Sequence, residues 1–251
     1  MSKKIWITGA SSGIGKALAI KFAKEGWQVA ASARRENLLN ELVKISPNIY
    51  SFPLNVVNLE NSKKIFKEII EKLGEINLCV FSTGIYDPKT EKEINIEQIQ
   101  NVFNVNFFGT LNCIKAVENY FKNKKNGHIS IMSSVAGYRG LPNSSGYGPS
   151  KAALNNLTES LYFDFKKYNV RVSLIAPGFI KTALTDKNNF KMPFLKTTEF
   201  AANKIYNGLI KKNSFEISFP LEMSILMKTL KILPNRIYLN LIKKLTKFQK
   251  R

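Results

Sequence analysis

The hydrophobic residues of this chain fall into short runs that alternate with longer segments of helical periodicity. The short apolar runs lie at residues 4–8, 28–33, 49–53, 77–82, 128–132, 171–176 and 214–218. Apolar positions spaced three and four residues apart predict helices at 17–23, 59–73, 96–121, 147–167 and 199–211. Strands that alternate with helices in this way predict an α/β fold with a doubly wound, mostly parallel sheet.

The same pattern predicts a single main domain. No linker rich in Pro, Gly or Ser and no repeat of solenoid period interrupts residues 1–218, so we expect them to form one unit. Residues 219–251 carry two further apolar runs separated by Pro234. They predict a C-terminal helical extension of this domain.

The second run of the tail predicts a basic amphipathic helix. On a helical wheel one arc of about 140° is apolar and carries Ile237, Tyr238, Leu241, Ile242, Leu245 and Phe248. The opposite side carries Arg236, Lys243, Lys244, Lys247, Lys250 and Arg251. Such a helix is suited to an anionic membrane surface, which residues 234–251 would contact. Packing of the apolar face on the domain or on a second subunit is the alternative.

The charge of the chain is strongly positive, since 38 Lys and Arg stand against 18 Asp and Glu and give a net charge of +20. A field of this sign favours anionic partners such as phosphorylated cofactors, acidic proteins or anionic lipid. Many of the lysines lie beside Asn and Ile, so a compositional bias accounts for the charge equally well. No recognition motif accompanies the charge, and we expect no specific nucleic-acid partner.

The cysteines and the first residues indicate a cytoplasmic protein. Cys79 and Cys113 lie in apolar contexts and have no metal-ligand spacing, so we expect reduced thiols and no bound metal. The apolar run that follows Lys3 and Lys4 ends at Gly9, which is too short for a signal core or a membrane span. The localisation prediction is therefore cytoplasmic, with peripheral contact at the inner face of a membrane where the tail allows it.

A glycine-rich turn joins the first strand to the first helix. It comprises Gly9, Ala10, Ser11, Ser12, Gly13, Ile14 and Gly15. Glycines let the backbone approach a pyrophosphate, and the helix start supplies N–H donors and a positive dipole. Strand, turn and helix in immediate succession predict a dinucleotide-binding site of the Rossmann type.

The second predicted strand ends in Arg34 and Arg35. In a nucleotide-binding βαβ unit this position meets the adenosine ribose. An acidic residue there would bind the free 2′-hydroxyl of NAD, whereas arginine pairs with the 2′-phosphate of NADP. The two arginines favour NADP(H), and solvated charge on a loop is the alternative.

Tyr147 and Lys151 stand four residues apart at the start of a predicted helix, so their side chains share one face. A lysine ammonium beside a phenol lowers the tyrosine pKa and makes the phenol a usable general acid or base. Ser134, from a separate element, could hydrogen-bond the same substrate oxygen. These groups suit the interconversion of a carbonyl and an alcohol, and a chance pair on an exposed helix is the alternative.

Five motifs in order resemble the short-chain dehydrogenase/reductase family, in its single-domain form, from residue 3 to about 218. They are the turn from Thr8 to Gly15, the Asn104–Gly109 stretch with Asn106, the Ser133-Ser134 pair, Tyr147 with Lys151, and the segment from Pro177 to Thr182. The resemblance implies an oxidoreductase that uses a nicotinamide dinucleotide. It also implies a homo-oligomer, dimer or tetramer, formed through the helices that bear Asn106 and Tyr147.

The resemblance also implies residue roles. Tyr147 would protonate the substrate oxygen, Ser134 would orient the carbonyl, and Lys151 would lower the tyrosine pKa and bind the nicotinamide ribose. Asn106 would hold a water molecule that connects Lys151 to solvent. Beyond Tyr147 and Lys151, the implied cofactor-binding residues are Gly9, Ser11, Ser12, Gly13, Ile14, Gly15, Arg34, Arg35, Asn55, Val56, Gly84, Pro177, Gly178, Ile180 and Thr182.

Three positions depart from the family pattern. The stretch from Phe81 to Gly84 keeps its glycine but lacks the two amides that brace the central sheet, so we expect the sheet to be less rigid there. Asn55 replaces the aspartate expected at the adenine amino group, and its side-chain oxygen could still accept that hydrogen bond. Pro149 lies inside the Tyr-x-x-x-Lys turn, which is compatible with a helix that begins less than a turn before it.

The resemblance further implies a substrate lid over residues 182–198, where Met192, Phe194 and Leu195 would form an apolar cover. An ordinary surface loop is the alternative. Together with the tail, this segment favours a lipophilic or acyl-chain ketone, or the matching alcohol, as the small-molecule substrate. The competing functional hypothesis is a catalytically silent NADP-binding sensor at a membrane surface, and the altered stretch from Phe81 to Gly84 is its support.

Overall fold

A parallel sheet of seven strands forms the centre of the molecule, for which a computed structural model describes residues 3–87 and 94–245. The strands are β1 (Lys4–Thr8), β2 (Gln28–Ala33), β3 (Ile49–Pro53), β4 (Leu78–Phe81), β5 (Gly127–Met132), β6 (Val170–Pro177) and β7 (Glu216–Phe219). Their order across the sheet is β3-β2-β1-β4-β5-β6-β7. The predicted doubly wound parallel sheet is therefore confirmed, with its topological switch point between β1 and β4.

Helices connect the strands. They are α1 (Gly13–Lys24), α2 (Glu36–Val43), α3 (Leu59–Leu73), α4 (Ile96–Phe103), α5 (Gly109–Lys124), α6 (Tyr147–Lys166), α7 (Thr198–Tyr206), α8 (Leu221–Ile232) and α9 (Asn235–Leu245). Within residues 3–87 and 94–245, none of the helices has the length and apolar character that a bilayer crossing requires.

The apolar core lies on both faces of the sheet. Side chains alternate along β1, so Ile5 and Ile7 enter one buried cluster with α1, α2 and α7 while Trp6 enters the other with α3, α5 and α6. The Trp6 ring stacks on Phe66 at 5.5 Å between centroids, and its Nε1 donates to Ser32 Oγ at 2.9 Å. Burial on both faces explains why these strands have continuous apolar sequences.

Several predicted boundaries need correction. The helix predicted at 96–121 is divided by a π-helical turn at Asn104–Phe108, and the one predicted at 199–211 ends in another at Asn207–Lys211. The last strand begins two residues later than predicted, and α2 lies in a segment for which the pattern predicted no helix. Leu39 and Leu42, three residues apart and fully buried, are the signal that identifies α2.

The tail packs on the domain through one face. The buried residues of this third cluster are Val135, Met223, Met227, Leu230, Tyr238 and Ile242. Ile237, which shares the predicted apolar arc, is exposed, because the packed face is centred on Tyr238 and Ile242. Leu245, the last residue of α9, is exposed as well. Phe248, Lys247, Lys250 and Arg251 lie outside the described residues. The predicted boundary at 218/219 falls inside β7, and the division into domain and tail remains a prediction.

Arg139, in the segment between β5 and α6, attaches the tail to the domain. Its guanidinium donates four hydrogen bonds of 2.6–3.0 Å to the backbone at the end of α8 and to the first side chain of α9; the acceptors are Leu230, Lys231, Leu233 and Asn235. It also lies over the Tyr238 ring, 3.9 Å from the centroid, and the Tyr238 hydroxyl donates to the Gly140 carbonyl. One cation thus caps α8 and fixes the start of α9.

Replacement of Arg139 should therefore loosen the tail. We expect Arg139→Ala to lower the free energy of unfolding by about 2–3 kcal/mol, since hydrogen bonds to a charged donor are lost and carbonyl acceptors are uncovered. Thermal unfolding measures the loss, and limited proteolysis should cut within residues 219–245 sooner. Arg236→Ala, at an exposed position of α9, is the matched control. Equal melting temperatures and cleavage rates for the two variants would contradict the attachment.

Candidate active site

A cavity of about 390 Å³ opens at the carboxyl edge of the sheet, where the loops after the strands converge. Most of the predicted site residues line it; they are Gly9, Ser11, Ser12, Gly13, Ile14, Gly15, Arg34, Arg35, Val56, Gly84, Ser134, Tyr147, Lys151, Pro177, Gly178, Ile180 and Thr182. Asn55 and Asn106 do not. The cavity therefore brings the glycine turn and the tyrosine–lysine pair into one site.

The glycine turn is packed too tightly for side chains. Gly9 has a φ of 71°, and a Cβ there would lie 2.9 Å from the Ser82 carbonyl group. At Gly15 a Cβ would lie 2.3 Å from the Gly9 oxygen. At its three glycines, the turn and the start of α1 thus face the cavity with bare backbone, to which an anion can come close.

Both arginines after β2 lie at the same end of the cavity, but they differ in their contacts. The Arg35 guanidinium donates to Ser11 Oγ at 3.0 Å and to Ser12 Oγ at 2.9 Å, which holds it against the glycine turn. Arg34 is exposed and lines the rim. Positive charge and hydroxyl groups therefore lie together at the position where a ribose phosphate is expected.

Asn55 is the predicted cofactor residue that the fold does not bring to the cavity wall. Its side chain is exposed, and its Oδ1 accepts a hydrogen bond from the Val57 N–H at 3.4 Å within its own turn. The neighbouring residues Leu54 and Val56 line the cavity instead. The proposed contact of Asn55 with adenine remains a prediction.

Two hydrogen bonds of Ser82 connect the altered stretch after β4 to β1. Ser82 Oγ donates to the Thr8 carbonyl at 2.5 Å, and the Ser82 N–H donates to Thr8 Oγ1 at 3.2 Å. These two bonds join the ends of β4 and β1 at the switch point. A hydroxyl therefore supplies a brace where the family pattern has amides.

Tyr147 is the first residue of α6, so Pro149 lies in the first turn and its missing N–H removes no hydrogen bond of the helix, as the sequence predicted. The Gly148 N–H donates to Ser144 Oγ at 2.9 Å and fixes the helix start. One turn further on, Lys151 Nζ lies 5.6 Å from the centroid of the Tyr147 ring. The predicted pair therefore shares one face of α6.

Lys151 is almost completely buried, with 3% of its surface exposed. Its ammonium group donates to the Met132 carbonyl, at the end of β5, at 3.0 Å. Burial disfavours the charged form and lowers the pKa of Lys151 to about 8. A lysine with this pKa is still mostly protonated at neutral pH, yet it can exchange its proton near that pH.

Asn106 lies in the π-helical turn between α4 and α5, behind the cavity wall. Its Oδ1 accepts from the Ile85 N–H at 2.8 Å, and its Nδ2 donates to the Ile85 carbonyl at 3.1 Å and to Ser150 Oγ at 3.2 Å. The side chain therefore joins the loop after β4 to α6 one residue before Lys151. π-helical turns are frequent at functional sites, and here the turn directs the Asn106 side-chain amide toward the protein interior.

Ser134 follows β5 and is buried beside the cavity. Its hydroxyl accepts from the Ala136 N–H at 3.1 Å and donates to the Pro177 carbonyl at 3.3 Å. It thus joins the loop after β5 to the end of β6. The long bond to Pro177 leaves the hydroxyl proton easy to redirect to a bound carbonyl oxygen.

Sequence reasoning missed Tyr86. Its ring centroid lies 4.9 Å from that of Tyr147, with an angle of 56° between the rings. Tyr86 comes two residues after Gly84, and its position in a loop after a central strand is the signal that could have identified it. It limits the space beside the Tyr147 phenol.

The residues of the predicted apolar cover do not line the cavity. Thr182 and the three residues after it line the cavity, and Thr185 Oγ1 donates to the Ile180 carbonyl at 2.7 Å. Phe194 and Leu195 are exposed. The first turn of the segment lines the cavity, and Lys187 Nζ donates to the Tyr86 carbonyl at 3.4 Å. The role of the segment as a substrate lid remains a prediction.

Comparisons with known proteins agree with this arrangement. The family model described as short chain dehydrogenase matches residues 3–192. An uncharacterized oxidoreductase of Myxococcus xanthus is 32% identical over 236 residues, which cover 92% of this chain and 93% of that protein. The 3-oxoacyl-(acyl-carrier-protein) reductase FabG of Thermotoga maritima is 35% identical over 185 residues, or 72% of this chain and 75% of that protein.

Among solved structures, that of ElxO with NADP bound superposes with a TM-score of 0.77 and 27% identity, and covers 87% of this chain and 98% of that one. The family match extends over well more than half of the sequence and includes the glycine turn and the tyrosine–lysine pair. The chain therefore belongs to the short-chain dehydrogenase family, and it is an oxidoreductase with a nucleotide-binding Rossmann fold.

Proposed function

We propose that this protein is an NADP(H)-dependent oxidoreductase that interconverts a ketone and a secondary alcohol, with Tyr147 as general acid and base. The observation that carries the proposal is the buried ammonium of Lys151 beside the Tyr147 ring, in the same cavity as the glycine turn. When bound, the nicotinamide would supply or accept the hydride at the carbonyl carbon. The remaining chemistry falls to side chains of the chain.

In the reduction, the Ser134 hydroxyl would donate to the substrate oxygen and Tyr147 would transfer its proton to that oxygen. The charge of Lys151 stabilises the phenolate that remains. Lys151 would then return a proton to Tyr147, which its pKa of about 8 makes possible near neutral pH. Asn106 would keep the helix start in place and, as the resemblance implies, hold the water that reconnects Lys151 to solvent.

The preference for NADP(H) is supported by Arg34 and Arg35 at the end of β2. Arg35 and the hydroxyls of Ser11 and Ser12 form one polar cluster that would surround a 2′-phosphate. The solved structure of ElxO, which holds NADP, is consistent with this choice. Gly9, Gly13, Ile14 and Gly15 would bind the pyrophosphate, while Ile180 and Thr182 would contact the nicotinamide amide.

The substrate we propose is lipophilic or carries an acyl chain. Val135, the residue after Ser134, belongs to an apolar cluster with the tail, and Leu141 and Phe179 pack against this cluster. A relative such as FabG, which is described as acting on a 3-oxoacyl group, is consistent with this class. We also propose a cytoplasmic homo-oligomer, supported by Phe108 and Phe163, which are exposed on the helices that would form the contact.

A silent NADP-binding sensor is the weaker hypothesis. It rested on the altered stretch after β4, and the bonds of Ser82 to Thr8 hold that stretch in place. A non-catalytic binder has no need of a buried lysine beside a tyrosine, because burial of an ammonium group is unfavourable. Contact of the tail with an anionic membrane is a separate proposal, argued below.

Replacement of Tyr147 tests the reaction. We expect Tyr147→Phe to lower kcat for ketone reduction by about 10³-fold with little change in NADPH affinity, since only the transferable proton is removed. Loss of reduced-cofactor absorbance over a panel of lipophilic and small ketones measures the rate. Tyr162→Phe, on the same helix, is the matched control. Tight NADPH binding without turnover of any ketone by the unmodified protein would refute the proposed reaction.

The pH profile tests Lys151. Because burial lowers its pKa from 10.5 to about 8, Lys151 is charged below that pH and neutral above it. We expect kcat/KM for ketone reduction to fall as pH rises through about 8. Lys151→Arg stays charged over this range, so its profile should lack the inflection whatever its absolute rate. An unchanged inflection in Lys151→Arg would assign it to another group.

The two arginines can be tested separately. We expect Arg34→Ala and Arg35→Ala each to weaken NADPH binding by at least about tenfold and NADH binding by less than about twofold, because a charged hydrogen bond to the 2′-phosphate is lost. Fluorescence titration measures both affinities. Arg171→Ala controls for net charge, since Arg171 lies at the amino end of β6 and the cavity lies at the carboxyl ends of the strands. Equal losses for the two cofactors would exclude a phosphate role.

A further inference from the structure

The outer surface of the tail carries a second set of apolar side chains. Seven large aliphatic residues of α8 and α9 are between 40% and 81% exposed; they are Leu221, Ile225, Leu226, Ile232, Ile237, Leu239 and Leu245. At 100° per residue, four of them lie on the side of their helix that points away from the buried residues, and we call these four the docking face; they are Leu221, Ile225, Ile232 and Ile237. Soluble surfaces scatter such residues singly, whereas a group of this size marks an interaction surface.

The docking face is distinct from the face that packs on the domain. Met223, Met227, Tyr238 and Ile242 already cover the domain, and Arg139 fixes the junction between α8 and α9. The outer aliphatic residues therefore cannot turn inward without the loss of these contacts. They need an occupant from outside this fold.

The charge of α8 and α9 limits which kind of molecule can bind the docking face. Residues 221–245 contain five basic residues, Lys228, Lys231, Arg236, Lys243 and Lys244, and one acidic residue, Glu222, so their net charge is 5 − 1 = +4. The basic side chains are exposed on the same two helices as the docking face. A second copy of the chain in a symmetric contact would bring these cations against each other, which disfavours self-association. The occupant is therefore anionic.

The distribution of the charges distinguishes a bilayer from an acidic protein. Along α8 and α9 basic and aliphatic residues are interleaved, as in Lys231 with Ile232 and Arg236 with Ile237. Protein interfaces keep charged residues out of their apolar centre. At a bilayer surface, in contrast, aliphatic side chains reach the acyl boundary while lysine stems extend to the headgroups, so interleaving is favourable.

We propose that the docking face binds the surface of an anionic bilayer, with α8 and α9 both lying on it. This surface extends the membrane contact predicted for residues 234–251, since α8 supplies three of the four aliphatic residues of the docking face. Through Arg139 and the Gly140 carbonyl the docked helices are joined to the segment between Ser134 and Tyr147. The proposal itself does not depend on the reaction, although it would bring a lipophilic substrate close to the site.

Vesicle co-sedimentation of the full chain tests the proposal. We expect binding to phosphatidylcholine vesicles that contain phosphatidylserine and little binding to phosphatidylcholine alone. Ile225→Ser with Ile232→Ser removes aliphatic side chains at constant charge, and Lys243→Gln with Lys244→Gln removes charge. Each pair should weaken binding by at least about tenfold. Ile45→Ser, an exposed isoleucine far along the chain, is the matched control and should bind as the unmodified chain does.

Other outcomes would overturn the proposal. Failure of the unmodified chain to bind anionic vesicles excludes it, and full binding by the aliphatic variants would assign any attraction to net charge alone. A change of mass in gel filtration on Ile225→Ser with Ile232→Ser would identify a second copy of the chain as the occupant. An acidic carrier protein that shields the docking face from proteolysis would identify a protein as the occupant. NADPH binding verifies that each variant is folded. If the double variant Ile225→Ser with Ile232→Ser does not fold, the single variant Ile232→Ser takes its place. The docking variants are also assayed for ketone turnover in solution. Turnover without vesicle binding would show a loss of docking alone, whereas vesicle binding without turnover would count against the proposed reaction alone.

Discussion

A buried ammonium group is the constraint on which the site depends. Removal of Lys151 from water is unfavourable, and the Met132 carbonyl compensates in part by accepting its hydrogen bond at 3.0 Å. The backbone of Lys151 is equally confined, because Ser133 Oγ donates to its carbonyl and a Cβ on Gly137 would lie 2.6 Å from its carbonyl carbon. The lysine can occupy this place only if β5, the segment after it and α6 are all in register.

The rest of the site follows from this register. Asn106 bonds to Ser150, the residue before Lys151, and to the backbone of Ile85, so the loop after β4 is positioned by the same helix start. Ser134 bonds to the Pro177 carbonyl and so joins the loop after β5 to the end of β6. The loops after β4 and β5 and the end of β6 are thereby connected around the cavity.

The tail is an element with two different faces. Its inner face is a conventional apolar contact, fixed at the turn by Arg139, while its outer face keeps aliphatic and basic residues exposed. A helix that is apolar on both sides is unusual on a soluble domain unless something covers it. Through Arg139 and the Gly140 carbonyl, the tail therefore connects the docking face to the segment between Ser134 and Tyr147.

Local patterns in the sequence were sufficient for the sheet and the glycine turn, and the family resemblance supplied most of the remaining cavity wall. Apolar runs and helical spacing are set by neighbouring residues, and parallel strands then bring their following loops to one edge, where Arg34, Tyr147 and Thr182 meet. Tertiary structure alone decided that Ser82 bonds to Thr8, that Tyr86 contacts Tyr147, that Asn55 does not line the cavity and that Arg139 holds the tail. These contacts join residues far apart in the chain or depend on how a side chain turns, and no local periodicity encodes such distances.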